Sequence, residues 1–470
     1  MDQFSPDLLV ELDRGPGAAG LRAQVERQLR EGIREGRLHS GTRLPSSRAL
    51  AARLGVARGV VVEAYAQLGA EGWLVSRQGA GTRVAPGVAA AAADPEPWPF
   101  AVAQRYDFRL GVPDLAAFPR DLWLASSRRV LKDLPDLALT HPDPRGAAPF
   151  RAALAAYLGR VRGVVTTPDR IVVCTGFWQG LSLVCRVLAA RGATRLAMED
   201  PCFYLHRLIV ERAGLQPVPV AVDERGMRID LLAASGADAV LVTPAHQSPT
   251  GVVLAPQRRT ALIAWAEETG ATVIEDDYDA EHRYDREPVG ALQGLAPERV
   301  VYGGTASKTL APALRLGWLA LPSGLARDLG YEKGLADAGS PVHEQLVMAD
   351  LIERGDLDRH LRRTRARNAG RREALASAVA EHLPDARVRG VAAGIHAAVE
   401  LPAGLDERAV VAAAAERGVG VEGMAIHRFS PEGTPPTLLL GYGALSEPAI
   451  RQGVRELAAA VDEVASRRDR

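Results

Sequence analysis

The sequence predicts a two-domain chain, a small helical domain closed by a β-hairpin ahead of a larger α/β domain on a mixed, mostly parallel sheet. Three observations carry this. The string GVAAAAADPEPWP at 87–99 interrupts all hydrophobic periodicity, and its prolines stop the helix an alanine run would otherwise form, so it reads as a linker. Before it, helical spacing gives way to two short strands around a glycine turn. After it, apolar strands ending in polar, glycine-containing turns alternate with helices, the pattern of a parallel sheet. The expected domains are therefore 15–85, a linker over 86–104, and 105–470.

With 470 residues, 47% of them apolar, and a formal net charge of zero, the chain can bury a large core. It has no apolar run of about 18 residues, which argues against a membrane helix. The start, MDQFSPDLLVELDRG, is acidic and lacks the basic–apolar–small order of a secretion signal. Three cysteines (Cys174, Cys185, Cys202) have no metal-ligand spacing, and no metal site is expected. So sparse and odd a count favours reduced thiols and a cytoplasmic protein.

In the first domain, Leu21, Val25, Leu29 and Ile33 recur at helical spacing. Ser46 or Ser47 then opens a second helix, Gly55-Val56 makes a turn, and a third helix runs from about Ala57 to Ala70. GWLVSRQGAGTRV supplies the hairpin. This order is a winged helix-turn-helix. Residues 40–85 hold six arginines against two acids, so the segment is basic within a neutral chain. The pattern G-x-R-L-P-S-S-R-x-L-A-x-x-L-G-V, followed by an arginine and A-Y-x-x-L-x-x-E-G, resembles the GntR-type DNA-binding domain. The resemblance implies contacts to double-stranded DNA. Arg43 and Arg48 flank a helix start and suit phosphates, and Ser46 and Ser47 add hydroxyls. Arg58, with Gly59 beside it, opens the helix that would read base edges. Arg77, Gly79, Gly81, Thr82 and Arg83 would form the wing. Where the family usually has polar residues after Gly-Val, this chain has Ala57, Arg58, Gly59 and Val60, so several polar contacts are missing.

In the second domain one residue type is conspicuous. The chain has three lysines (Lys132, Lys308, Lys333) against 54 arginines. Arginine serves wherever only positive charge is needed, so the amine of Lys308, in GTASKTLAPALRLGW just past an apolar strand, asks for a reason. An amine can form an imine with an aldehyde cofactor and a guanidinium cannot. A pyridoxal 5'-phosphate site needs further parts in reach. Asp276, ending VIEDDYD, suits the ring nitrogen. Tyr278, two residues on, falls on the same side of an extended segment, while Asp277 faces away. Thr175, Gly176 and Phe177 open a helix whose backbone N–H groups suit a phosphate, joined by Thr305, Ser307 and the planar guanidinium of Arg315. Phe203 or Tyr204 could cover the ring, and His246 and Gln247 would lie near its hydroxyl. Lys132 and Lys333 sit in ordinary helical surroundings and are given no role, and Trp178 reads as packing.

FRLGVPDLAAFP, DPRGAAPFRAALAAYLGRVRGV, TPAHQSPTG, EDDYDAEHRY, SKTLAPALRLGW and HLRRTRARNAGRR together resemble the fold-type-I aminotransferases. Behind a GntR-type domain they are similar to the MocR subfamily of bacterial transcription regulators, closest in character to the pyridoxal phosphate-responsive members. The resemblance implies a large mixed sheet, a small C-terminal α+β subdomain and a homodimer on an operator with two half-sites, its DNA-binding domains swapped between subunits. It assigns the Schiff-base lysine to Lys308, the ring-nitrogen partner to Asp276, the ring-hydroxyl partner to Tyr278, phosphate to Arg315 and stacking to Phe203. Two departures stand out. Ser248 replaces the usual asparagine of N-P-T-G. Leu439, in LLLGYGALS, stands where aminotransferases place the arginine that clamps a substrate carboxylate; Arg207 or His427-Arg428 could substitute.

Three functions stay open on these residues: a regulator that senses pyridoxal phosphate and controls vitamin B6 genes, one that senses an amino acid or amine on the cofactor, and a working aminotransferase with a DNA-binding domain. Loss of the clamp favours a sensor over an enzyme.

Overall fold

The computed structural model describes residues 10–77, 81–86, 104–279, 281–284, 289–430 and 433–468. Most of the expected linker, residues 87–103, and Gly79 of the expected wing lie outside these. The chain divides into two compact units, Met1–Ala101 and Val102–Arg470.

In the first unit, α1 (Leu21–Arg34), α2 (Ser47–Leu54) and α3 (Arg58–Ala70) precede an antiparallel hairpin, β1 (Leu74–Arg77) and β2 (Gly81–Val84). Ser46 caps α2 by accepting from the Ala49 N–H at 3.2 Å. Gly55 ends it at φ +62°, a left-handed turn that glycine adopts without strain. The periodic apolar residues converge as expected: Val25, Leu29, Ile33, Leu50, Val61 and Leu68 share one buried core. The Tyr65 hydroxyl donates to the Pro45 carbonyl at 2.9 Å and fixes α3 against the turn before α2.

The second unit has a short β3 (Tyr106–Asp107), then β4 (Ile171–Cys174), β5 (Arg195–Asp200), β6 (Gln216–Asp223), β7 (Gly226–Met227), β8 (Ala239–Val242), β9 (Thr272–Asp276), β10 (Val300–Thr305) and β11 (Gly317–Ala320). Eight of these form one sheet in the order β4-β11-β10-β9-β8-β5-β6-β7. The run β10-β9-β8-β5-β6 is parallel, and β11, β4 and β7 join antiparallel. The central strands β8 and β10 are buried along their whole length, which is why β8 reads as an unbroken apolar run. A second sheet, of β12 (Arg387–Arg389), β13 (His396–Glu400), β15 (Glu422–Gly423) and β16 (Thr437–Gly441), is wholly antiparallel. Its inner face (Ala397, Val399, Leu438, Leu440) packs with residues of the helices Asp356–His382 and Glu447–Arg468 in a separate core. The remaining strand, β14 (Val419–Gly420), pairs with β3. Among the described residues, no helix is long and apolar enough to cross a membrane.

Candidate cofactor and DNA-binding sites

The large-sheet strands β9 and β10 are parallel neighbours, with Asp276 opposite Gly303. Their C-terminal ends deliver Asp276, Tyr278, Thr305 and Lys308 to one place, where open α/β sheets bind ligands. The Lys308 amine donates to the Gly111 carbonyl at 2.9 Å. A Cβ on Gly111 would stand 2.6 Å from that nitrogen, so glycine makes the approach possible. Burial holds the Lys308 amine below its ordinary lysine range, against the opposing pull of Asp279, Asp276 and Glu422. A larger neutral fraction makes it a better nucleophile.

Asp276 is 5% exposed and its Oδ1 has no partner. Burial, reinforced by Asp277 and Asp279, pushes its carboxyl well above the usual range, while Lys308 pulls it down. A buried carboxylate with an unused oxygen calls for a cationic donor, and a protonated pyridine nitrogen is one. Asp277 does face the other way. It takes two bonds from buried Arg162, at 2.8 and 3.1 Å, and one from the Tyr302 hydroxyl at 2.7 Å. The two adjacent aspartates thus have opposite fates, one compensated and one left open.

The Tyr278 hydroxyl lies 3.1 Å from His246 Nδ1, which in turn lies 2.8 Å from Asp279 Oδ2. Burial would raise the Asp279 carboxyl, but His246, His396 and His282 bring it below its ordinary value. Burial brings His396 down to about 3. No metal site was expected from the sequence; His246, Asp279 and His396 nevertheless bring three potential ligand atoms within 4.8 Å of one another.

On the other side, Gly176 at φ +96° precedes the helix Phe177–Ala190. The Arg315 guanidinium donates to the Thr175 carbonyl, and a Cβ on Gly176 would stand 3.1 Å from it. Thr305 donates to Ser307 Oγ at 3.0 Å, and the Ser307 N–H returns a bond to Thr305 Oγ1 at 3.2 Å. Helix-start N–H groups, two hydroxyls and a guanidinium are the donors from which a phosphate cup is built.

Several expected contributors already have partners within the protein. The Phe177 ring is 7% exposed and packs under Gly303, so only its backbone can serve the cup. The Gln247 amide donates to the Pro201 and Ser248 carbonyls, both at 2.8 Å, and its oxygen accepts from the Thr250 N–H at 3.0 Å. It braces a loop and has no capacity left for a ring hydroxyl. Phe203 lies 6.0 Å from Trp178 in a stacked arrangement and 5.8 Å from His427. Trp178, read as packing from the sequence, is part of this aromatic cluster. Arg207, one candidate for a substitute clamp, donates to the Arg428 and Ile426 carbonyls at 2.7 and 2.5 Å and lies over Phe429.

Lys333 was missed. It is fully buried, 2.6 Å from both Asp337 oxygens and 3.0 Å from Ser340 Oγ. Asp337 accepts from Gln179 Nε2 at 2.7 Å, and Gln179 Oε1 accepts from the Thr175 N–H at 2.8 Å. Lys333 thereby holds the phosphate-cup turn through two intermediaries. Its rarity was the one available signal: a lysine in an arginine-rich chain, four residues before an aspartate.

In the first unit, Arg43, Ser46, Arg48, Arg58, Gly59, Arg77, Gly81 and Arg83 are exposed, and Ser47 and Thr82 half-buried. Arg43 bridges to Arg83 beside the hairpin, and its guanidinium approaches Gly81. Arg58 Nε donates to Ser47 Oγ at 3.3 Å. The Thr82 hydroxyl is engaged with Ser76 at 2.9 Å.

A helix-turn-helix with a wing, joined to an α/β domain with a lysine, an uncompensated aspartate and a phosphate cup at its strand ends, defines a class: a DNA-binding regulator built on an enzyme fold. Residues 21–84 match the model for bacterial regulatory proteins of the gntR family, and residues 122–434 match that for aminotransferase class I and II. The chain is 33% identical to the HTH-type pyridoxine biosynthesis transcriptional regulator PdxR of Corynebacterium glutamicum, over 93% of this chain and 95% of that one. It is 30% identical to the probable rhizopine catabolism regulatory protein MocR of Rhizobium meliloti, over 96% of each. Among solved structures it resembles LysN, the α-aminoadipate aminotransferase of Thermus thermophilus complexed with N-(5'-phosphopyridoxyl)-L-leucine. That match has a TM-score of 0.70 and 25% identity, and covers 77% of this chain and 93% of that one. The chain belongs to the MocR-type transcriptional regulators of the gntR family, in which a DNA-binding helix-turn-helix domain is fused to an aminotransferase-like domain.

Proposed function

We propose that this regulator acts in the cytoplasm as a homodimer on an operator with two half-sites, with its DNA-binding domains swapped between subunits, and answers to pyridoxal 5'-phosphate, controlling genes of vitamin B6 metabolism. The observation that carries the cofactor assignment is the unpartnered Oδ1 of buried Asp276, close enough to Lys308 for their charges to interact. The chemistry of the surrounding groups fits the same molecule. Lys308 offers an amine to the aldehyde. Asp276 would keep the ring nitrogen protonated. Tyr278, steadied by His246, would meet the ring hydroxyl, and Phe203 would cover the ring. Thr175, Gly176, the Phe177 N–H, Thr305, Ser307 and Arg315 would receive the phosphate. When bound, the cofactor supplies an electrophilic carbon and an electron-withdrawing ring.

A response to the cofactor itself is favoured over catalysis by the clamp position. Leu439 is fully buried and packs with Ala398, Met424 and Leu110, so an amino acid would find hydrocarbon there. Losing a bidentate, charge-assisted anchor costs a carboxylate ligand roughly 1.5–3 kcal/mol. The name of the Corynebacterium relative, a pyridoxine biosynthesis regulator, points the same way. On DNA, Arg43, Ser46, Ser47 and Arg48 would hold phosphates, Arg58 and Gly59 would approach base edges, and Arg77, Gly81 and Thr82 would carry the wing. The test is titration of the cofactor-free protein with pyridoxal phosphate, followed by absorbance. Saturable visible absorbance at one cofactor per chain, retained after dialysis and lost in Lys308→Ala, is expected. An unchanged spectrum in that variant would place the lysine elsewhere.

A further inference from the structure

The clamp position has not merely lost a cation; its neighbour is an anion. β15 and β16 pair antiparallel with Glu422 directly opposite Leu439. Directly paired residues project to the same face of a sheet. That face also holds Ala398, the partner of Leu439 on β13. Glu422 Oε1 accepts the Leu110 N–H at 3.2 Å, while Lys308 donates to the carbonyl of the next residue, Gly111, at 2.9 Å. The carboxylate and the amine therefore flank one dipeptide, and the Leu110 side chain packs against the cluster that holds Leu439.

Two of the cations nearby are engaged. Arg109 is forked onto Asp107 at 2.8 and 2.6 Å, and Arg207 is held by two carbonyls. His427, fully buried, has its Nε2 3.4 Å from Glu422 Oε2 without a hydrogen bond from either ring nitrogen. Arg428 has a buried Nε without a partner and, with His427, is a rival anchor for an anion. A carboxylate placed in the usual way would face Glu422, and like charges at close range are strongly disfavoured. An ammonium there would be attracted and would give Glu422 a hydrogen-bond donor.

We propose that the site flanked by Lys308 and Glu422 takes a short diamine, one nitrogen toward Lys308 and the other charged end on Glu422, and rejects the amino acid of the same length. This rests on the reading that pyridoxal phosphate occupies the Lys308 site, and it gives that site a second, cationic ligand class.

The experiment is calorimetric titration of the cofactor-loaded full-length protein with 1,4-diaminobutane, 4-aminobutyrate and 1-aminobutane, which differ only at the far end. The diamine is expected to bind at least about tenfold tighter than 4-aminobutyrate, with 1-aminobutane between them. Glu422→Gln should erase the order, and Arg428→Ala should leave it in place. Equal affinities, no binding by any of the three, preference for 4-aminobutyrate, or an order that survives Glu422→Gln would overturn the proposal. The wild-type series decides the matter even if Glu422→Gln fails to fold. Absorbance separates the two readings. If the wild-type protein takes up no cofactor, the function proposed above fails and this inference with it. If it loads and the ligand order is wrong, this inference alone fails.

Discussion

The two halves of the Lys308 site follow different rules. The proposed cofactor half has a glycine at each close approach, an aspartate oxygen left without a partner and a guanidinium beside a helix start. In the substrate half, hydrocarbon lies where a carboxylate would be clamped, and Glu422 lies beside it. On the proposed function, the difference teaches that a chain can keep the groups that would hold a cofactor while lacking the arginine with which an aminotransferase holds an amino acid. The first half follows from the requirements of one small molecule. The second is free to change when the output is DNA binding.

The strongest way to break the comparison is Lys308→Ala, which should abolish the cofactor's visible absorbance entirely while circular dichroism stays native. Next comes Leu439→Arg combined with Glu422→Gln, so that the facing carboxylate does not consume the new guanidinium, which should move the substrate half back toward an enzyme. It is expected to tighten amino-acid binding to the loaded protein by roughly 1.5–3 kcal/mol, read by calorimetry. It should also lower Tm, because a charge enters the cluster of Ala398, Met424 and Leu110. No gain in amino-acid binding would mean that the clamp was not the missing part.

Asp276→Asn sharpens the cofactor half. A carboxyl whose folded pKa is raised destabilises the fold at pH above its unfolded value, because folding opposes ionisation there. The variant should therefore raise the Tm of the cofactor-free protein at neutral pH, by about 1–3 kcal/mol of stability, while weakening cofactor binding. Both signs must appear together; a lower Tm would show that the carboxylate was already compensated. Lys308 gives a related pH prediction. Its amine is held below the ordinary lysine range, so cofactor uptake should rise with pH in a window below that of a free lysine, measured by loading rate against pH.

Lys333→Met tests the prop behind the phosphate cup. Asp337 would lose its charge partner, with a stability loss of about 1–3 kcal/mol and several-fold weaker cofactor binding, but an unshifted absorbance band. A shifted band would mean that Lys333 acts on the ring and not through Asp337 and Gln179. The smallest expected effect is on DNA. Arg58→Ala should reduce discrimination among sequences by about 1–3 kcal/mol while sparing total affinity, and affinity should fall steeply with salt.

Much of this was legible in the residues. Alternation along VIEDDYD separated Asp276 from Asp277, because an extended strand end turns successive side chains to opposite sides, and Arg162 and Tyr302 wait for one of them. The shortage of lysine exposed Lys308. The same shortage should have flagged Lys333, but its helical setting carries no sign of burial; only the packing of Asp337 and Gln179 against it does. Gln247 is polar and adjacent to His246, and nothing in sequence says that its amide is consumed by its own loop. Arg207 was a plausible anchor until two carbonyls claimed it. Glu422 was out of reach because its meaning lies in strand register: it matters only once it stands opposite Leu439.

The most direct test of the central claim is binding of the purified cofactor-free protein to DNA from upstream of its own gene and its neighbours, with and without pyridoxal phosphate, at fixed salt. The account predicts that pyridoxal phosphate alone changes the affinity or the footprint, and that Lys308→Ala removes the change. DNA binding that pyridoxal phosphate leaves untouched would contradict it.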